Sequence, residues 1–382
     1  MTRRVVVLGA GYAGASTVLE LERRLEPGEL TWVSEHDHHL VLHESHRVIS
    51  DPDAAEEIAI PVEDITADAT EFVEGTVAGI APEESEVELA DGETVPYDRL
   101  VVALGSETAY YGIPGLDEHA HTLKSLEDAE EIRGAVEDAA DGASPEEPAE
   151  IVVGGAGLSG VQVAGEVAEY RDEHDAAIDV TVVEALDEIL PHHDEGLQQR
   201  IRGMLEARDV EITTGDPITE VDGAVQFESG DTLDHDVLVW AGGVTGPEAV
   251  ESSGLDADHN RIEASDDFTT SHDDVFAVGD VALVDQGDGP APPTAQAAWQ
   301  AGEVAARNVV RSLEDEALDE WRYEDLGTLI SVGEDAVAHD VKGLPVQTFD
   351  RLPARFLKKF VAARWIAKVT SWRRGLGAWG HL

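Results

Sequence analysis

The chain predicts an α/β protein built of two doubly wound parallel sheets followed by an amphipathic helical tail. Three observations carry this. Short apolar runs rich in Val and Ile recur at 5–8, 100–103, 151–153, 180–183, 238–241 and 275–278, the length and composition of strands buried on both faces. Helical stretches lie between several of them, the alternation of doubly wound sheets. Two glycine-rich turns of the same pattern follow two of the runs, about 146 residues apart.

The first turn is VVVLGAGYAGAS, a strand, then Gly9, Gly11 and Gly14 in G-x-G-x-x-G spacing, then a helix. Glycines at these places serve a tight turn, close approach of a pyrophosphate, and tight helix–strand packing. The helix start is the positive end of its dipole, and a pyrophosphate sits there. An acidic side chain closing the next strand is expected to hold a ribose, and Glu35 follows Gly14 by 21 residues. The second turn, IVVGGAGLSG, repeats the arrangement with Gly155, Gly157 and Gly160, and Glu184 ends the next strand. A carboxylate there accepts bonds from the 2′-hydroxyl of NAD and repels the extra phosphate of NADP, so NADH is expected over NADPH. One such turn is a weak signal. Two, each in strand–turn–helix–strand–acid context, predict two Rossmann-like dinucleotide-binding domains, one for FAD and one for NAD.

Composition narrows the chemistry. The chain of 382 residues holds 81 acidic and 25 basic residues, a net charge of −56, and no Cys. The missing thiols exclude disulfides, thiolate metal sites and cysteine nucleophiles. So acidic a body repels phosphates, and nucleic acid is not an expected partner. Acidic excess with only five Lys resembles proteins of salt-loving archaea. No run reaches the ~18 apolar residues that span a bilayer. The opening MTRRVVVLGAG reads as the first strand rather than a signal peptide. Residues 134–150, acidic with Gly and two Pro, read as a surface linker, and 286–293 as a similar break.

Further stretches carry a family resemblance. Residues 97–115 resemble the crossover segment of flavoproteins with two dinucleotide-binding domains. VFAVGDVA at 275–282 resembles their second FAD motif. With VEALDEILP, LVWAGGV, PPTAQAAWQAGEVAARN and WRYEDLGTLISVG, the chain from residue 4 to about 335 is similar to the type II NADH dehydrogenases, single-chain NADH:quinone oxidoreductases. The resemblance implies FAD contacts at Gly9, Gly11, Gly14, Gly105, Gly279 and Asp280. It implies NADH contacts at Gly155, Gly157, Gly160, Glu184 and Gly243, and places Ala295 and Gln296 at the flavin and quinone side. It also implies domains over 1–115 with 245–325 for FAD, 116–244 for NADH, and 326–382 for the interface and membrane-associated segment.

Three positions depart from the family pattern. Gln162 stands where the family usually carries a Glu thought to help deliver protons to the quinone. Glu166, four residues on along the helix, is the candidate substitute. Ser34 takes the place of the strand-two acid, with Glu35 adjacent. The segment after it holds His36, His38, His39, His43 and His46. His39 and His43 have a helical metal-binding spacing, but no carboxylate is in register. No metal is expected, and His39 is assigned instead to the cofactor.

The tail is the last feature. Residues 351–382 contain eight Arg or Lys and no acid. The expectation is two short helices bending near 362–364, with Phe356, Leu357, Phe360 and Val361, then Trp365, Val369 and Trp372, facing lipid. Arg355, Lys358 and Lys359 are expected to snorkel outward. Such a tail, over residues 351–375, places the protein at the cytoplasmic side of the cell membrane beside its quinone. The other readings are a helix that caps its own body, or a homodimer contact. Two other functions stay open: reduction of a soluble carrier such as a ferredoxin, and a flavin- and NAD-binding sensor with little turnover.

Overall fold

The computed structural model describes residues 3–25 and 28–382. Two five-stranded parallel sheets dominate. In the first, Arg4–Leu8 lies between Glu29–Ser34 and Arg99–Val102, with Thr70–Glu74 and Val275–Ala277 at the edges. The second centres on Ala149–Gly154, flanked by Ile178–Glu184 and Val237–Trp240, with Val210–Thr214 and Ala120–His121 outside. Each apolar run of the sequence thus lies in one strand of a parallel sheet. The runs are unbroken because both faces of the sheets are covered; in the second sheet one face packs on helices and the other on the antiparallel strands Ile218–Val221 and Ala224–Phe227. Val5, Val7, Leu100, Val101, Ile151 and Val153 are all fully buried.

Each glycine turn leads into a helix, Tyr12–Glu22 and Leu158–His174. A third helix, Ala295–Leu313, packs against Tyr12–Glu22 so closely that a Cβ on Gly302 would lie 2.5 Å from the Ala13 carbonyl oxygen. A three-stranded antiparallel sheet, Thr328–Val332, Asp335–His339 and Thr348–Asp350, leads into the tail.

Two expectations are corrected. Residues 134–142 are not linker: they finish the helix Leu126–Gly142, which opens with a capping box between Ser125 and Asp128. Ala129, Ile132 and Val136, three and four apart, bury one stripe of it, and that stripe outweighs its acids and glycines. The tail does not bend near 362–364. It runs as one helix, Arg351–Val369, broken at Thr370 and Ser371, where the Ser371 side chain caps the short helix Trp372–Gly377. Its inner face joins the body. Ala362, Ala363, Trp365, Ile366 and Val369 belong to the same buried cluster as Val5–Leu8. Leu352, Phe356, Phe360, Val361, Trp372 and Leu376 remain exposed on the other side. Among the described residues, no helix is long and apolar enough to cross a membrane.

Candidate active site

A cavity of about 1880 Å³ runs from the first glycine turn to the tail and reaches Leu158 and Ser159 beside the second turn. That is roughly twice the upper end of ordinary small-molecule sites, room for more than one ligand. Gly9, Gly11, Ser34, Glu35, Gly105, Asp280, Ala295, Gln296, Gln162 and Gly243 line it. Gly14, Gly155, Gly157, Gly160, Glu184, Gly279, Glu166 and His39 do not.

The geometry of both turns fits a bound pyrophosphate. Gly9 has φ +94°, and a Cβ there would lie 2.4 Å from the Ala103 carbonyl oxygen; one on Gly14 would lie 1.9 Å from the Gly9 carbonyl oxygen. Gly11 faces open space, and the helix behind it has no side-chain cap, so its first N–H groups are free for an anion. The second turn repeats this: φ +93° at Gly155, a Gly160 Cβ position 1.8 Å from the Gly155 carbonyl oxygen, open space at Gly157 and no side-chain cap. Glu184 ends its strand with the carboxylate accepting from Ala156 N–H at 2.7 Å and Leu186 N–H at 3.0 Å, beside the second turn. Ser34 is buried at the matching strand end of the first sheet and Glu35 exposed next to it.

Asp280 sits at the cavity wall. Burial pushes its carboxyl above the ordinary value, while Lys124 and Arg261 pull it down. Lys124 donates to Ser106 Oγ at 3.1 Å and lines the cavity beside Asp280. Sequence reading passed over Lys124, although its rarity in this chain was a usable signal. Gln296 holds a loop: its amide donates to Gly327 O at 3.3 Å and accepts from Leu326 N–H at 2.6 Å. Its side chain spans cavity wall and loop.

Gln162 and Glu166 lie one helical turn apart but in different surroundings. Gln162 lines the cavity and donates to His46 Nε2 at 3.1 Å and Ser331 Oγ at 3.2 Å. Glu166 is fully buried behind it. Its Oε2 accepts from Ser50 Oγ. Its Oε1 stands 3.2 Å from Arg47 Nη1 and 4.0 Å from His46 Nε2, yet has no aligned hydrogen-bond donor. Burial raises the Glu166 carboxyl above its ordinary value and holds His46 well below its own. Glu166 therefore does not take the place of Gln162 at the cavity, as the helical spacing suggested. It stands behind His46, which reaches the cavity.

The histidine segment is also corrected. Only His43 and His46 lie in the short helix Leu42–Ile49, and His38 and His39 lie in the short strand His38–Leu40 before it. His39 is fully buried and does not touch the cavity. Its Nδ1 pairs with Ala10 O at 2.7 Å and its Nε2 with Trp365 Nε1 at 2.8 Å, which leaves no nitrogen for a cofactor. His43 Nδ1 bonds the Tyr12 hydroxyl instead. Lys358 and Lys359 do not snorkel. Lys359 Nζ donates to Trp379 O at 3.2 Å. Lys358 is buried with Nζ 2.7 and 2.6 Å from the Glu44 carboxylate oxygens, and it lines the cavity. Neither Glu44 nor this pairing was singled out from the sequence.

Residues 3–302 match the family model described as pyridine nucleotide-disulphide oxidoreductase. The chain is 32% identical to the type II NADH:quinone oxidoreductase of Staphylococcus aureus, over 96% of each chain. Among solved structures, NDH2 of Plasmodium falciparum in complex with NADH is similar with a TM-score of 0.82 at 15% identity, covering 99% of this chain and 98% of that one. The sulfide:quinone oxidoreductase of Aquifex aeolicus has a TM-score of 0.80 at 19% identity, covering 98% and 92%. These two likenesses concern the fold. With no cysteine in the chain, thiol redox chemistry falls away, and the chain belongs to the pyridine nucleotide-disulphide oxidoreductases and, within them, to the type II NADH:quinone oxidoreductases.

Proposed function

We propose that this enzyme holds FAD on the Gly9–Gly11–Gly14 turn with Asp280, holds NADH on the Gly155–Gly157–Gly160 turn with Glu184, and reduces a membrane quinone beside its C-terminal helix. The observation that carries this reading is the single cavity reaching from the first turn to Leu357, Lys358 and Trp365 of the tail. FAD, when bound, supplies the two-electron carrier between a hydride donor and a quinone. The residues of the chain position and protonate. The two turns offer backbone N–H groups to two pyrophosphates. Glu184 selects a ribose without a 2′-phosphate. Gln296 ties the 326–327 loop to the cavity wall.

Quinone reduction by NADH takes up one proton from solvent: NADH, one proton and quinone give NAD⁺ and quinol. Gln162 cannot ionise. We assign the proton to Glu166, whose burial favours its protonated form, with His46 passing it to the cavity. A His whose own proton affinity is lowered releases a proton readily.

The exposed face of the tail helix supports peripheral contact with a membrane. Leu352, Phe356 and Phe360 stand four residues apart, one apolar stripe on the helix whose Leu357, Lys358 and Trp365 line the cavity. The charge balance supports work at high ionic strength, where apolar contact outlasts electrostatic attraction. A steady-state assay with NADH and a short-chain quinone tests the reading: turnover supports it. Reduction of a ferredoxin-like carrier with no quinone turnover would overturn it.

A further inference from the structure

We infer that the C-terminal helix also closes the FAD turn, with Trp365 and His39 as positioning residues that aim the Gly11 N–H at the cofactor. Trp365 Nε1–H can only donate and the Ala10 carbonyl can only accept. The two bonds of His39, 2.8 and 2.7 Å long, therefore fix its tautomer: Nδ1–H donates to Ala10 O, and bare Nε2 accepts from Trp365. Burial holds His39 at a pKa of about 4, so this neutral tautomer persists through physiological pH.

The consequence follows from peptide geometry. A trans peptide is planar, and its C=O and N–H point in opposite directions. Drawing the Ala10 carbonyl back toward His39 turns the Gly11 N–H the other way, into the cavity that Gly11 lines. The preceding peptide is held in the same manner, since Trp32 Nε1–H donates to Gly9 O at 2.9 Å. Two indoles thus pin two successive peptides of the turn. Tyr12 wedges the assembly, its ring 4.9 Å from that of Trp365 and 5.1 Å from that of His39.

The second turn shows what is unusual here. Its equivalent carbonyl, Ala156 O, accepts from the backbone N–H of Leu190 at 2.8 Å, a nearby part of the same domain. The NADH turn is closed by local main chain. The FAD turn is closed by a side-chain relay to a helix at the far end of the sequence. Docking of the tail and retention of flavin are therefore coupled.

The inference rests on the assignment of FAD to the first turn, and its test separates the two. FAD release from purified holoenzyme is followed by the rise of free-flavin fluorescence after dilution. Trp365→Phe keeps the ring and removes the N–H; FAD dissociation is expected to rise about 2- to 10-fold, the range of one neutral hydrogen bond. His39→Leu is expected to do the same. His39→Gln, which can both donate to Ala10 O and accept from Trp365, should stay near wild type. Phe356→Ser, on the outer face of the same helix, should leave release unchanged. Wild-type release from Trp365→Phe overturns the inference, as does equal loss in His39→Gln and His39→Leu, or equal loss in Phe356→Ser. Wild-type protein purified without FAD overturns the assignment as well.

Discussion

Phe356→Ser combined with Trp372→Ser tests what the outer face of the tail does. Truncation after Asp350 would not, because the inner face of the helix belongs to the core, with Trp365, Ile366, Val369 and Leu382 buried there, and its loss damages the fold. Phe356 is 62% exposed and Trp372 58%. Full burial of a large apolar side chain is worth about 1.5–3 kcal/mol, so covering what each exposes is worth about 1–2 kcal/mol. The two residues sit on separate helices, and additive contributions give about 2–4 kcal/mol together, a loss of ~30-fold or more in vesicle affinity. The assay is co-sedimentation with lipid vesicles at ~1 M ionic strength, where the Debye length of ~3 Å removes attraction at a distance. Wild type should sediment with vesicles at low and high salt alike, and the double variant should stay in the supernatant. Wild type washed off by salt, or a double variant that still sediments, would refute the reasoning. A double variant that changes from dimer to monomer would assign the face to a second copy of the chain instead.

Glu166→Gln should slow quinone reduction by about 10²-fold, the lower range of general acid catalysis, while NADH bleaches the flavin at the wild-type rate in stopped flow. Because burial raises the Glu166 carboxyl, its protonated form persists to higher pH than usual. Quinone reduction should fall as pH rises through that value, and Glu166→Gln should lack this limb. Wild type should turn over NADH far faster than NADPH at equal concentration. Glu184→Ala should narrow the gap mainly by raising KM for NADH, about 10-fold for one lost hydrogen bond. Lys358→Met leaves the buried Glu44 carboxylate without its closest cation and should cost about 3–5 kcal/mol in denaturant unfolding, with Glu44→Gln in the same chain recovering part. Burial works to raise Glu44, but Lys358, His43 and Arg47 overcome it and hold its carboxyl below the ordinary value. The stability from this group is complete above the pKa of the unfolded carboxyl, and is lost as pH falls through the lower folded value.

Local signals were legible in the sequence. Apolar runs buried on both faces read as strands because no alternation interrupts them, and the glycine turns read as phosphate sites because spacing and flanking elements agree. What failed depended on partners far along the chain. Lys358 looked like a snorkelling cation because nothing near it reveals Glu44, 314 positions away. His39 looked like a cofactor ligand because its two partners, Ala10 and Trp365, lie in separate elements. Glu166 had the right helical face and the wrong depth, since burial behind His46 depends on how the 42–49 helix packs. The stretch 134–142 was misread for a local reason: Ile132 and Val136 continue a helical stripe that its acids and glycines obscured.

The most direct test of the central claim is an anaerobic two-step experiment on purified holoenzyme. One equivalent of NADH should bleach the flavin absorbance, and a short-chain quinone added afterwards should restore it within a turnover, with one quinol formed per NADH consumed. Flavin that bleaches with NADH and is not restored by quinone would contradict the account.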